Sequence, residues 1–136
     1  MEDMFLPLKV SATALEAQKI RMNTIASNIA NVSSTRTADG GGPYKRKDVV
    51  FESYLFNETS VGVNIPKVVE DERPFKMVYD PSHPDANKEG YVNYPNVNTI
   101  EEMVNLMAAT RAYEANLTLI NSYKDSFMRT LDIAKV

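Results

Sequence analysis

The chain of 136 residues contains no cysteine, a single histidine, and no glycine or proline across two long flanks. The missing cysteines exclude a disulfide framework, a thiolate zinc site and a cysteine nucleophile together. One histidine excludes a metal centre built on a histidine pair, and nothing in the pattern asks for a cofactor. No apolar run approaches the ~20 residues that a membrane-spanning helix needs. The start, Met1-Glu2-Asp3-Met4-Phe5-Leu6, is acidic and lacks the apolar stretch of a cleaved leader. The expectation is either residence in the cytoplasm or exit by a route that removes no leader. With 15 basic and 18 acidic residues the net charge is −3, which gives no general attraction to nucleic acid or to an anionic membrane. What is present is 43% apolar residues, enough for some core and too many for a disordered chain.

Glycine and proline are crowded into the middle. All five glycines lie between Gly40 and Gly90, and six of the seven prolines lie between Pro43 and Pro95, with Pro7 the exception. Inside a helix Gly costs ~1 kcal/mol and Pro ~3 kcal/mol relative to Ala, so the flanks read as long helices and the middle as strands and turns. The expected fold class is α+β, with long N- and C-terminal helices pairing as an antiparallel coiled-coil-like unit around a small β-rich insert. The expected divisions are residues 1–35, 36–97 and 98–136. At ~60 residues the middle is near the lower limit for a core of its own, and it is expected to fold independently.

The first helix repeats by sevens through Leu8, Leu15, Met22 and Ile29, with Ser11, Gln18, Ile25 and Val32 interleaved. From Pro7 to Val32 it would measure ~39 Å at about 1.5 Å per residue. Leu15, Met22, Ile25, Ile29 and Val32 are its candidate packing residues. The second helix opens at Asn98-Thr99-Ile100-Glu101-Glu102, where Thr99 is the expected cap and Glu102 its reciprocal partner. Its apolar lines predict packing through Met103, Leu106, Tyr113, Leu117, Ile120, Phe127 and Leu131 along a rod of ~52 Å, at about 1.5 Å per residue. A further line, Ala112, Leu119 and Ile133 with Val104, Met107 and Met128 nearby, calls for more than one neighbour. In so short a chain some of those neighbours are expected to be other subunits.

In the middle, Asp48–Phe56, Val61–Ile65 and Phe75–Tyr79 read as strands, and Gly40–Pro43 and Asp80–Asp85 as turns. Gly40-Gly41-Gly42 ahead of Lys45-Arg46-Lys47 lacks the loop-to-helix context of a phosphate cradle, so it reads as a linker with a solvated basic cluster. His83 lies in a stiff turn without partners for catalysis. Glu70-Asp71-Glu72 lacks the spacing of a calcium loop and reads as a solvated charge run. On the helices, Asn23, Asn28 and Asn31 either set register at a buried interface, as a buried asparagine does in coiled coils, or stand exposed. Arg111 and Glu114, three apart, either pair on one helix surface or make a lateral contact between subunits, with Asn116 nearby. Spacing leaves both pairs of alternatives open.

Several of these residues form an ordered pattern. Arg21-Met22-Asn23 and Ser27-Asn28-Ile29-Ala30-Asn31 lead into Thr35-Arg36-Thr37 and Gly41-Gly42-Pro43-Tyr44-Lys45-Arg46. Val78-Tyr79-Asp80-Pro81-Ser82-His83-Pro84-Asp85-Ala86, Gly90-Tyr91-Val92 and Tyr94-Pro95-Asn96-Val97-Asn98 follow, then Glu102-Met103-Val104 and Arg111-Ala112-Tyr113-Glu114-Ala115-Asn116. The pattern resembles the bacterial flagellar rod and hook proteins over nearly the whole chain, least between Ser53 and Arg73. The resemblance implies a non-enzymatic structural subunit of the proximal rod of the flagellar basal body, exported by the flagellar type III apparatus without cleavage. It implies terminal helices in an inner layer, an outer middle domain, and transmission of motor torque. The partners it implies are the proximal rod proteins FlgB and FlgF, the distal rod protein FlgG and further copies of the chain. Two other classes fit the residues less well. A soluble coiled-coil adaptor or secretion chaperone would not need the second apolar line. A small hydrolase using the Asp80–Asp85 loop would need a cleft and partners that the sequence does not show.

Overall fold

In the computed structural model, which describes residues 5–57 and 60–134, helix α1 (Leu6–Ala30) leads into strands β1 (Lys47–Asn57), β2 (Ser60–Glu70), β3 (Lys76–Tyr79) and β4 (Tyr91–Tyr94), and helix α2 (Thr99–Ala134) closes the chain. The two helices lie antiparallel. Phe5 meets Phe127 at a ring separation of 5.9 Å at one end, Met22 meets Thr110 midway, and Asn28 meets Glu102 at the other. The α+β class expected from the sequence is what the chain adopts.

Local chemistry sets where each helix starts and stops. Pro7 lies in the first turn of α1, where its missing N–H has no intrahelical partner to lose. At the other end the Asn31 backbone N–H and its Nδ2 both donate to the Ser27 carbonyl, at 3.1 and 2.9 Å. That side chain competes with helix continuation, so α1 ends at Ala30 and a turn occupies positions 31–33, two residues short of the expected Val32. At the start of α2 the expected cap shifts by one residue. Asn98 Oδ1 accepts from the backbone N–H groups of Ile100 and Glu101, at 3.0 and 3.4 Å, so Asn98 rather than Thr99 satisfies the open donors. Glu102 does not fold back on the cap; it is fully buried elsewhere.

The strands form two separate antiparallel pairs, β1–β2 and β3–β4. In the first, Lys47 stands opposite Glu70 and Leu55 opposite Val61, with a register shift between Val50 and Glu52. Pro66, which has no N–H for a ladder, lies in β2 across from that shift. In the second, Lys76 stands opposite Tyr94 and Tyr79 opposite Tyr91. β4 is absent from the strands expected from alternation, although Val92 within it has no exposed surface. Gly90 precedes β4 at φ +82°, and a Cβ there would stand 2.9 Å from the Tyr79 ring. Glycine is therefore required on both conformational and steric grounds.

A lone two-stranded hairpin is at best marginal in water. Here β1–β2 lies back along α1: the Val63 N–H donates to Thr13 Oγ1 at 3.2 Å, and the Arg21 guanidinium sits 5.9 Å above the Phe51 ring. The middle thus leans on the first helix and carries no second layer of its own against this hairpin. Among the described residues few are buried: Ser11, Ala17, Ile25 and Asn28 on α1, Glu102 and Ala109 on α2, and Tyr44, Arg46, Gly62, Gly90, Val92 and Pro95 between.

Candidate functional site

At the junction of both helices and the strands lies a buried polar node. Asn28 Nδ2 donates to Glu102 Oε2 and to the Lys47 carbonyl, each at 2.8 Å. Asn28 Oδ1 accepts from the Lys47 N–H at 2.9 Å and from the Tyr44 hydroxyl at 3.0 Å. Arg46 Nε donates to Glu102 Oε1 at 2.7 Å, and Arg46 Nη1 reaches Asp48 at 2.9 Å and Asp71 at 3.3 Å. Asn96 Oδ1 takes the Arg46 N–H at 2.7 Å, and its Nδ2 donates to the carbonyls of Asp71 and Arg73. A further layer toward solvent joins Arg73 to Asp71 and Glu101. Each strong donor at the centre meets an acceptor, which is the condition under which burying charge is tolerated.

The charges respond to this packing. Burial pulls the Arg46 pKa down, but hydrogen bonds to Asp48 and Glu102 and their negative charges outweigh it, and the net shift is upward. Asp48 loses some solvation, which raises its pKa; the bonds from Arg46 and the Val49 N–H prevail and hold it below the usual carboxylate range. Asp71 is lowered chiefly by the side-chain bond from Arg73, against a smaller desolvation effect. Arg46, Asp48 and Asp71 thus hold one another in their charged forms near neutrality. The geometry of the node is that of a clasp joining both helices to the strands, and among the described residues no cluster of metal-ligating side chains occurs.

The candidate residues from the sequence fall into distinct places. Of the three asparagines, Asn28 is buried in the node, Asn31 closes α1, and Asn23 is exposed. Ile25 is buried between the helices, and Leu15, Met22, Ile29, Val32, Leu106, Tyr113, Ile120 and Phe127 are half-buried. Met103, Leu117 and Leu131, expected on the same seam, are instead 55%, 43% and 41% exposed. The fully buried positions of α2, Glu102 and Ala109, fix the face turned to α1; Met103 lies on the opposite side with Ile100, Val104 and Met107, which are 58–76% exposed. Those four positions follow the i, i+3, i+4, i+7 spacing of a single helix stripe. Arg111 and Glu114 continue that face, are exposed, and form no ion pair with each other among the described residues. Asn116 Nδ2 donates to the Ala112 carbonyl at 2.9 Å.

Two charged segments read as solvated surface do more than that. Arg46 is 5% exposed, and the central residue of Glu70-Asp71-Glu72 is its partner. An alternating strand pattern that begins at Lys47 carries no signal that the residue before it turns inward, so this was not visible by composition. The glycine loop folds on itself, with the Thr37 N–H bonded to the Gly42 carbonyl at 2.8 Å. In the Asp80–Asp85 turn, the Asp85 N–H donates to His83 Nδ1 at 3.1 Å, while the Asp85 carboxylate accepts from Thr35 Oγ1 at 2.8 Å and pairs with Arg36. The turn is therefore a fastening for the segment after α1. Among the described residues no helix is long and apolar enough to cross a membrane.

Comparison with known proteins gives a consistent result. Residues 8–36 match the model of the flagella basal body rod protein family, and residues 88–133 match the model described as flagellar basal body rod FlgEFG protein C-terminal. The chain is 43% identical to the flagellar basal-body rod protein FlgC of Borreliella burgdorferi, over 96% of this chain and 97% of that one. It is also 43% identical to the protein of that name from Bacillus subtilis, over 96% and 98%. Against that from Salmonella typhimurium it is 40% identical, over 93% and 94%.

Proposed function

The chain belongs to the FlgC family of flagellar basal-body rod proteins, and from that membership we propose that it is a structural subunit of the proximal rod, without enzymatic activity, passing motor torque through helix contacts. The observation that carries this reading is the row Ile100, Met103, Val104 and Met107, exposed on α2 opposite the face that α1 covers. A stripe of that kind is stable in water only at a cost that a neighbour's burial removes, at ~25 cal/mol per Å² of apolar surface. Load then crosses from subunit to subunit through close-packed side chains, which deform little. In this reading residues 1–35 and 98–136 form the inner layer and 36–97 the outer domain. The neighbours are further copies and the rod proteins FlgB, FlgF and FlgG. Delivery is by the flagellar type III export apparatus to the periplasm-crossing part of the basal body.

The test is a deletion strain complemented by the chain. Purified basal bodies from the deletion should lack a complete rod and the cells should not swim; complementation should restore both, with the chain present in the purified particles. Basal bodies that assemble normally without it, or complemented particles that never contain it, would point instead to a soluble adaptor or chaperone.

A further inference from the structure

The apolar pattern of the helix pair specifies its alignment poorly. Leu8, Leu15, Met22 and Ile29 repeat by sevens on α1, and Leu106, Tyr113, Ile120 and Phe127 repeat by sevens on α2. Sliding one helix by seven residues therefore sets most of these positions against apolar ones again, although it separates Phe5 from Phe127 at the far end. Helix α2 has 36 residues against 25 for α1, so a slide toward the C-terminus of α2 keeps α1 covered. The apolar or small residues buried on the two helices add little discrimination: Ser11, Ala17 and Ala109 are small, Ala17 lying between Thr13 and Arg21 on the stripe that meets the hairpin, and only Ile25 is large and apolar. Gln18, in the middle of the seam, has a buried Oε1 without a hydrogen-bond partner among the described residues, so the observed alignment is not favoured there either.

One contact is different in kind. Asn28 and Glu102 both have 0% exposure and bond directly to each other. The second carboxylate oxygen is taken by Arg46, and Asn28 also bonds to both backbone groups of Lys47. After a seven-residue slide Asn28 would face the region of Ala109, and Glu102 would lose its amide donor while still inside the protein. A buried polar residue that is satisfied in only one alignment selects that alignment. We infer that Asn28 and Glu102, held by Arg46, are positioning residues that set the register of α1 along α2. Because Arg46 and Lys47 open the strand segment, the same contact fixes where the hairpin begins along α1.

The inference concerns the fold of a single chain and is tested apart from the flagellar reading. The absence of cysteine makes thiol mapping clean. One paired variant, Met22→Cys with Thr110→Cys, reports the observed alignment, since those side chains approach to 3.6 Å. A second, Met22→Cys with Leu117→Cys, reports the alignment seven residues on. Full-length chains are treated with a short bis-methanethiosulfonate, and the intramolecular product is measured as a fast-migrating monomer and mapped by mass spectrometry. With Asn28 and Glu102 intact the first pair should cross-link in preference to the second by on the order of tenfold or more. With Asn28→Leu and Glu102→Leu together, that ratio should fall toward one. Ile25→Ala, which weakens the same seam without touching the node, should leave the ratio unchanged. If the Leu pair of changes loses the helical circular dichroism, Asn28→Met alone, which keeps Arg46 on Glu102, supplies the comparison. A ratio that survives removal of the node, or that Ile25→Ala shifts equally, overturns the inference.

Discussion

Asn28 and Glu102 stand 74 positions apart and meet side chain to side chain at 2.8 Å, neither with any surface exposed to solvent. Through Arg46 the same carboxylate also grips the start of β1 and, beyond it, Asp71. Three distant stretches of chain are thereby joined at one acceptor. The helices and strands meet at this end of the molecule, while the other end of α2 stands comparatively bare.

Glu102→Gln should be harmful despite its similar shape. Both oxygens of Glu102 accept, one from Asn28 Nδ2 and one from Arg46 Nε. An amide offers one acceptor and puts an NH2 against a donor. The expected loss is ~1–3 kcal/mol, and Glu102→Ala should lose more, ~3–5 kcal/mol, by leaving Arg46 short of its buried partner. Chemical denaturation of the full chain followed by circular dichroism measures both. A Gln variant as stable as the parent would show that the node contributes nothing.

Acid should loosen the junction. Asp48 and Asp71 have folded-state pKa values below the usual carboxylate value, near 3.9 for a free aspartate. For a group lowered on folding, the stabilisation is complete above the unfolded value and disappears as the pH falls through the folded one. Stability should therefore be flat in these groups from about pH 5 to 7 and decline below about pH 4. Asp71→Asn should reduce the steepness of that decline. A variant with the same acid profile as the parent would remove Asp71 from the account; Asp48, whose side chain is 56% exposed, contributes the smaller part.

Order in the free subunit should be graded along the helices. The node holds residues near Asn28 and Glu102, whereas Leu117, Leu119, Met128, Leu131 and Ile133 are 41–77% exposed. Fixing the backbone costs ~1–2 kcal/mol per residue, and burial of so few large side chains offsets it poorly at that end. Amide hydrogen exchange on verified monomer should be slow at about residues 24–30 and 100–112 and fast beyond about residue 117, with protection of the latter gained on assembly. Uniformly slow exchange along α2 in the monomer would contradict this.

Assembly should be sensitive to the open face of α2 and indifferent to the turn. Met107→Asp places a carboxylate at a position 58% exposed in the chain, so the subunit should fold with a change within ~0.5 kcal/mol and yet fail to build rods. Leu117→Asp should act the same way. Phe127→Asp should also disturb the helix pair, because Phe127 packs on Phe5. His83→Ala should leave motility intact. Motility assays and rod recovery, with circular dichroism of each purified variant, decide the matter; normal rods from Met107→Asp with loss from His83→Ala would reverse it.

The helices were legible because Gly and Pro are absent from them and their apolar residues recur by sevens. Their ends were less so, because Asn31 and Asn98 act through side-chain bonds that compete locally with neighbours of similar propensity. The burial of Arg46 was hidden: within Lys45-Arg46-Lys47 the three residues look alike, and only the strand direction and the position of Glu102 turn the middle one inward. Asn28 could be read as buried or exposed from spacing, and the partner that decides it lies at the far end of the sequence. The pairing of β3 with β4 depends on Gly90 and the turn before it, a closure that alternation within four residues does not announce. The face formed by Ile100, Met103, Val104 and Met107 is partly visible in sequence as a second apolar line through Val104 and Met107, and Met103, which the heptad spacing puts on the seam with α1, joins it at 55% exposure.

The most direct measurement is a density map of the assembled flagellar rod at side-chain resolution from basal bodies carrying this chain. Helices α1 and α2 should lie in the inner layer, with Ile100, Met103, Val104 and Met107 packed against neighbouring subunits and Asn28 still bonded to Glu102. A rod in which this face of α2 lies in solvent, or from which the chain is missing, would contradict this.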